Sequence, residues 1–133
     1  MGEICGAAPN LPYRERVQVL LENGIAVWDV LYRAHRPGSL DSSIRRDSEV
    51  ANDFATFFSR QTQLALIAFN GASAAALFCR HVLPALATPA QQIARITLPS
   101  TSPAHAALRY EYKLARWRDA LAPQLLNFAR KAP

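Results

Sequence analysis

The sequence predicts an α/β fold with three layers, in which helices cover both faces of a short parallel sheet. Three short apolar segments, at residues 25–30, 64–69 and 93–98, have the length and composition of buried strands. Segments with helical spacing lie between them, and strands that alternate with helices are typical of parallel sheets. Half of the 133 residues are hydrophobic, which is enough for a core. We therefore expect a single α/β/α domain over residues 1–133.

The first two predicted helices lie on either side of a long polar segment. A helix over residues 13–23 follows Pro12, since proline is favoured in a first helical turn, and it stops at Gly24. Another helix begins after Asn52, its predicted N-cap, and carries three phenylalanines on one face. The polar segment, residues 31–51, is interpreted as a long loop, and loops of that length tend to be functional.

That polar segment contains two further features. Residues 39–46 fit a single helical turn. The Arg45-Arg46 pair is either part of a functional loop or simply a solvated part of the surface.

Two more helices are predicted, from Ala72 to about Leu83 and from about His105 to Leu121, with a short separate helix after Pro123. The chain begins with a helix that no strand precedes. We therefore expect an N-terminally truncated α/β domain that lacks its first β-α element.

The composition favours a polyanionic partner. Fifteen basic residues against ten acidic ones give a net charge of +5, which suits contacts with phosphates. Thirteen of the basic residues are arginine, so the surplus also fits a plain compositional bias. No apolar run approaches the roughly 18 residues of a membrane span, and the N-terminus lacks the basic region of a signal peptide. We expect a soluble cytoplasmic protein.

The cysteines and histidines show no spacing typical of a metal site. Cys5 and Cys79 are too few for a four-cysteine site, and free thiols are more usual than one disulfide in an intracellular chain. His35, His81 and His105 also lack ligand spacing. Cys79 and His81 stand two positions apart on one predicted helix, so they face different ways and form no dyad. We predict no metal and no cofactor.

Polar residues stand at the end of each predicted strand. They are Trp28-Asp29, Asn70-Gly71 and residues 99–104. Because ligands bind beyond the carboxyl ends of parallel strands, these segments define one candidate edge. Asp29 beside an aromatic ring suits a stacked flat heterocycle, or it is a structural aspartate satisfied by backbone amides. Asn70-Gly71 is equally a plain turn between a strand and a helix.

Residues 99–104 carry three hydroxyl groups between two prolines, just ahead of a predicted helix. Hydroxyls and helix-terminal amides suit a phosphate group. The alternative is that Ser102 or Thr101 merely caps the helix. Both interpretations are consistent with the residues alone.

Several segments together resemble the uracil-DNA glycosylase superfamily, and most closely its deoxyinosine (hypoxanthine) DNA glycosylase branch. In order, the matching segments are residues 6–13 (GAAPNLPY), 23–30 (NGIAVWDV), 38–44 (GSLDSSI), 52–54 (NDF), 69–72 (FNGA), 98–105 (LPSTSPAH) and 113–118 (KLARWR). The resemblance extends over almost the whole chain.

The resemblance implies a role for each part of the candidate edge. The family's second motif, a Pro-Ser segment that presses on the DNA backbone, falls on residues 99–102. The implied DNA-binding residues are Pro99, Ser100, Thr101, Ser102, His105 and Arg109. The implied pocket for the flipped base contains Trp28, Asp29 and Asn70. The implied partner is double-stranded DNA with a flipped damaged base, bound by a monomer.

The chain departs from the family at its N-terminus. The family opens with a strand, a Gly-Ser-Met-Pro-Gly-type loop and a His-Pro-x-Asn element, which hold the first motif and position the attacking water. Met1-Gly2 aligns just after these segments. Either the gene start was placed at an internal Met, or the chain is a genuine truncation. The catalytic residues are therefore unknown for this chain.

The implied activity is monofunctional hydrolysis of the N-glycosidic bond of deaminated bases, hypoxanthine foremost and uracil as a further substrate. No lysine stands at the end of a predicted strand, which argues against a Schiff-base step. One alternative is a catalytically inactive, DNA-binding remnant of the family. Another is an unrelated nucleotide-binding α/β domain, which the lack of a G-x-G-x-x-G motif disfavours.

Overall fold

The computed structural model describes residues 1–38 and 43–131. In chain order its regular elements are α1 (Gly2–Cys5), α2 (Tyr13–Glu22), β1 (Leu31–Arg33), β2 (Val50–Ala51), α3 (Phe54–Arg60), β3 (Leu66–Asn70), α4 (Ala72–His81), α5 (Thr88–Gln91), β4 (Ala94–Leu98) and α6 (Tyr110–Lys131). Short 3-10 turns occupy Arg46–Ser48 and Leu83–Ala85. The predicted fold class is confirmed, since a short parallel sheet is flanked by helices.

The chain divides into two compact units. The first comprises Met1–Trp28 and Leu114–Pro133, and the second comprises Asp29–Lys113. The second unit contains both sheets. Across the described part of the chain, no helix is both long and apolar enough to cross a membrane.

The parallel pair β3–β4 is the central element of the second unit. Five residues of each strand pair in register, from Leu66 opposite Ala94 to Asn70 opposite Leu98. The predicted strands at residues 64–69 and 93–98 are therefore confirmed within two residues at each end. Because the two strands end side by side, the residues that follow them emerge at the same edge of the sheet.

A cluster of phenylalanines forms the core of the second unit. Phe78 of α4 is 1% exposed, and its ring centroid lies 5.1 Å from that of Phe69 and 5.4 Å from that of Phe54. Phe58 stacks on Phe54 at 5.9 Å. The predicted apolar face of α3 thus packs against α4 and β3, and this packing fixes the sheet on one side.

The predicted strand at residues 25–30 is wrong. Among the described residues, 25–29 join neither sheet, and the side chain of Val27 is 75% exposed. The first strand is instead β1, which pairs antiparallel with β2. An apolar run becomes a strand only where a neighbour accepts its backbone hydrogen bonds, and the composition of the run does not encode that neighbour.

The polar segment is more structured than predicted. It contributes β1, a 3-10 turn and β2. Arg45 forms an ion pair with Asp47 at 3.0 Å, and both side chains are more than half exposed, as expected for a solvated pair. Part of the helical turn predicted at residues 39–46 lies outside the described residues.

The N-cap predicted at Asn52 is wrong by one residue. Asp53 caps α3, because its side chain accepts a hydrogen bond from the backbone N–H of Thr56 at 3.0 Å. This bonding, from the Thr56 side chain as well as its backbone, lowers the pKa of Asp53. Asn52 instead donates its amide to the carbonyl oxygen of Asp29 at 2.8 Å and so fixes the start of β1.

The last helix differs from its prediction at both ends. It begins at Tyr110 rather than His105 and continues through Pro123 to Lys131. Proline in a helix interior costs about 3 kcal/mol, and packing of flanking residues of the helix opposes this cost. Leu121 is 9% exposed, and the ring of Phe128 packs on Gly24, where a Cβ would stand 2.6 Å from it.

Candidate functional site

The candidate site is built where β3 and β4 end. Here the Pro-Ser loop, defined as residues 99–105, passes over the start of α4. The backbone N–H of Gly71 donates to the carbonyl oxygen of Leu98 at 3.0 Å, which extends the ladder by one residue. A Cβ at Gly71 would lie 3.0 Å from the Cβ of Ser100, and the φ of 95° at Gly71 also disfavours side chains. Glycine therefore permits the close approach of the loop.

Asn70 holds the Pro-Ser loop with both ends of its amide group. Its Oδ1 accepts from the backbone N–H of Thr101 at 2.8 Å, and its Nδ2 donates to the Thr101 hydroxyl at 2.9 Å. The last residue of β3 is thereby joined to the loop that follows β4. Both ends of the Asn70 amide are therefore engaged by Thr101. Asn70 supports the loop, in addition to being a candidate contact for a base.

The hydroxyl groups within the loop shape its turns. Ser100 Oγ accepts from the N–H of Ser102, and Ser102 Oγ accepts from that of Ala104, each at 3.2 Å. The N–H of His105 donates to the Ser102 carbonyl at 3.1 Å. Capping of the last helix by Ser102 or Thr101 is therefore contradicted, because α6 begins only at Tyr110.

A lysine ammonium contacts the far end of the Pro-Ser loop. Lys113, in the first turn of α6, donates to the carbonyl oxygen of His105 at 2.6 Å and approaches that of Ser102 at 3.5 Å. Arg109 and His105 are exposed. Most of the implied DNA-binding residues, from Ser100 to His105, therefore belong to one hydrogen-bonded segment. A backbone held this way presents its surface in one arrangement, which suits a rigid ligand.

The three implied pocket residues are divided between the two compact units. Trp28 is 46% exposed and belongs to the first compact unit, whereas Asp29 and Asn70 belong to the second. The carboxylate of Asp29 is exposed, while its carbonyl is held by Asn52. Of the three, Asn70 is the residue that the structure joins to the Pro-Ser loop. The base pocket thus remains a prediction.

Sequence reasoning missed a buried carboxylate at the other end of α4. The side chain of Glu49 is 4% exposed and accepts from Arg80 Nη1 at 2.9 Å and from His81 Nε2 at 2.5 Å. The arrangement is structural in character, since it joins the start of β2 to the last turn of a helix whose carbonyl end favours cations. No local spacing signals it, because 31 and 32 residues separate the partners. Cys79 is a free thiol, as expected.

His81 also borders a small cleft of about 120 Å³. Its lining is formed by Asn52, Asp53, Phe54, Ala55, His81, Val82, Ala85 and Leu86. The cleft lies at the carboxyl end of α4, whereas the Pro-Ser loop contacts the opposite end. About 15 Å of helix separates the two ends, at 1.5 Å per residue.

The fold and the loop define an α/β protein with a hydroxyl-rich, hydrogen-bonded segment at the carboxyl edge of its parallel sheet. The chain is similar to a hypoxanthine DNA glycosylase of Methanosarcina acetivorans, with 38% identity over 65 residues. The matched segment covers 49% of this chain and 40% of that relative, so the chain spans well under half of the relative's length. No family model matches the chain, and no solved structure matches it.

Proposed function

We propose that the protein acts in DNA repair as a glycosylase that hydrolyses the N-glycosidic bond of deaminated bases, with hypoxanthine as the preferred base and uracil as a second one. The Pro-Ser loop carries the proposal, since Asn70 and Lys113 hold it at the carboxyl edge of β3 and β4. The similarity to a hypoxanthine DNA glycosylase supports the choice of reaction.

In this proposal the Pro-Ser loop binds the DNA backbone beside the damaged nucleotide. The exposed side chains of Thr101, Ser102 and His105 contact phosphate oxygens, and Arg109 adds a positive charge next to them. The damaged nucleotide leaves the base stack at a cost of a few kcal/mol. The loop forms some of its contacts only with the distorted DNA backbone, and these contacts offset that cost.

Hydrolysis breaks the bond between C1′ and the base nitrogen. The base leaves with the bonding electron pair and takes up a proton, while water adds its oxygen to C1′ and loses a proton. Fixed hydrogen-bond donors near the departing base lower the barrier, because they stabilise its negative charge without reorganising. We assign no described residue to that step, and the chain is proposed to work as a monomer without metal or cofactor.

The direct test uses labelled duplexes that contain one hypoxanthine, one uracil or no damage. Abasic sites are detected as strand cleavage after alkali treatment. We expect abasic sites in the hypoxanthine duplex first and none in the undamaged duplex. The absence of abasic sites from both the hypoxanthine and the uracil duplex would refute the glycosylase proposal.

A pair of arginine variants separates specific from general charge effects. Arg109→Met removes an exposed charge four residues after the Pro-Ser loop, whereas Arg60→Met removes another exposed charge, six residues before β3 begins. We expect weaker duplex binding only for the first variant. Equal loss in both would mean that net charge alone attracts DNA.

A second candidate is a DNA-binding protein that does not cut. The exposure of Val27 and Trp28 favours it, because the segment implied to offer a polar side chain to the flipped base forms no strand here. Tight, lesion-dependent binding without abasic sites would select this function over the glycosylase.

A further inference from the structure

Lys113 directs its ammonium group to the backbone of the Pro-Ser loop. Its Nζ lies 2.6 Å from the carbonyl oxygen of His105 and 3.5 Å from that of Ser102. The same two residues close the turn, since the His105 N–H donates to the Ser102 carbonyl. A charged donor on a carbonyl makes one of the stronger hydrogen bonds in proteins, so the lysine and the turn hold each other in place.

The residue type at position 113 fits this task. Thirteen of the fifteen basic residues are arginine, and Lys113 and Lys131 are the two lysines of the sequence. A compact ammonium with rotatable donors can reach two carbonyl oxygens of one turn. Position 113 therefore carries a cation that can reach both carbonyl oxygens of the turn.

We propose that Lys113 is a positioning residue for DNA binding, which fixes the turn at residues 102–105 and makes no contact with phosphate itself. This inference rests on the proposed function. Arg109, exposed just before α6, is the contrasting residue, and in the proposed function it contacts a phosphate directly. The two roles differ in a measurable way, because only a cation that neutralises a phosphate releases counterions.

The test compares Lys113→Met with Arg109→Met by duplex affinity over a range of salt concentrations. Loss of a phosphate contact lowers the slope of log affinity against log salt by about one. We expect that change for R109M. For K113M we expect an affinity about tenfold lower at every salt concentration, with the slope of the wild type, because the loop loses a charged hydrogen bond but the interface loses no phosphate contact.

A second measurement needs no DNA. Amide hydrogen exchange of the free protein reports on the loop N–H groups of Ser102, Ala104 and His105, which all donate within the loop. We expect faster exchange there in K113M and unchanged exchange in R109M, with both variants melting cooperatively. Lys113→Gln is the substitute if the methionine variant does not fold.

Two results would overturn the inference. One is a salt slope that falls by about one in K113M, which would place Lys113 on a phosphate. The other is loop exchange that stays at the wild-type rate. If the wild type binds no duplex, the proposed function fails, and the exchange data still decide whether Lys113 holds the loop.

Discussion

Replacing Asn70 by leucine should loosen the Pro-Ser loop while leaving the core intact. The leucine side chain has a similar size but removes both hydrogen bonds to Thr101, at 2.8 and 2.9 Å. A hydrogen bond contributes about 0.5–1.5 kcal/mol, and the two bonds lie at the surface, so we expect a loss of about 1–2 kcal/mol. That loss corresponds to an opening of the loop that is about 5–30 times more frequent.

Hydrogen exchange at the Thr101 amide measures this opening directly. The same experiment includes Asn70→Asp, which keeps an acceptor for the Thr101 N–H and offers a second oxygen to the hydroxyl, since a hydroxyl both donates and accepts. We expect N70D to exchange nearly as slowly as the wild type and N70L to exchange faster. Asn52→Leu is the matched control, because it removes an amide that holds Asp29 and not the loop.

Two outcomes would show that the reasoning about Asn70 is mistaken. In the first, Thr101 exchanges at the wild-type rate in N70L. In the second, N70D and N70L exchange alike, which would mean that polarity at this position matters and the two specific bonds do not. Urea unfolding of each variant separates local opening from a loss of overall stability.

Other predictions concern packing, backbone and charge. Phe78→Ala removes the most buried ring of the core and should cost about 3–5 kcal/mol in urea unfolding; a cost below 1 kcal/mol would contradict the described packing. In Gly24→Ala the new Cβ meets the Phe128 ring at 2.6 Å and φ is +67°, so we expect a lower Tm. Gly38→Ala has a φ of +82° and no atom of the described residues within 4 Å of its Cβ, so it serves as the control for the backbone cost. The lowered pKa of Asp53 means that its contribution to stability is present above its ordinary value of 3.8 and is lost as pH falls through the lower folded-state value. The Tm difference between wild type and Asp53→Asn should therefore shrink on acidification below about pH 3.8, and a constant difference would refute this assignment.

The sequence was sufficient for the elements whose stability depends on local composition. β3 and β4 are short apolar runs bounded by turn residues, and α4 follows a strand end at Gly71, so their types and approximate bounds were predictable. Residues 25–30 have the same composition as these strands, but among the described residues they belong to no strand of either sheet. Pairing is a long-range property, and a single segment does not encode it.

The position of the candidate site was predictable from the sequence, but the hydrogen bonds that join its parts were not. The rule for parallel sheets located Asn70 and residues 99–104 at one edge, and the register of β3 and β4 agrees with that location. The bond from Asn70 to Thr101 spans 31 residues, and Lys113 contacts carbonyl groups that any residue type supplies. Patterns of side-chain type carry no information about either contact.

The in-register ladder of β3 and β4 has a consequence for altering this protein. Asn70 stands opposite Leu98, so the distance between the amide and Thr101 is set by strand pairing and by only three residues beyond it. A one-residue deletion inside β3 would place a side chain from the opposite face at the end of the strand. Changes of length between His105 and Lys113 would leave that spacing intact but would move Lys113 relative to the turn that it contacts. Insertions within β3 or β4 should therefore disrupt the contact of Asn70 with the loop, whereas insertions after residue 105 should disrupt only that of Lys113.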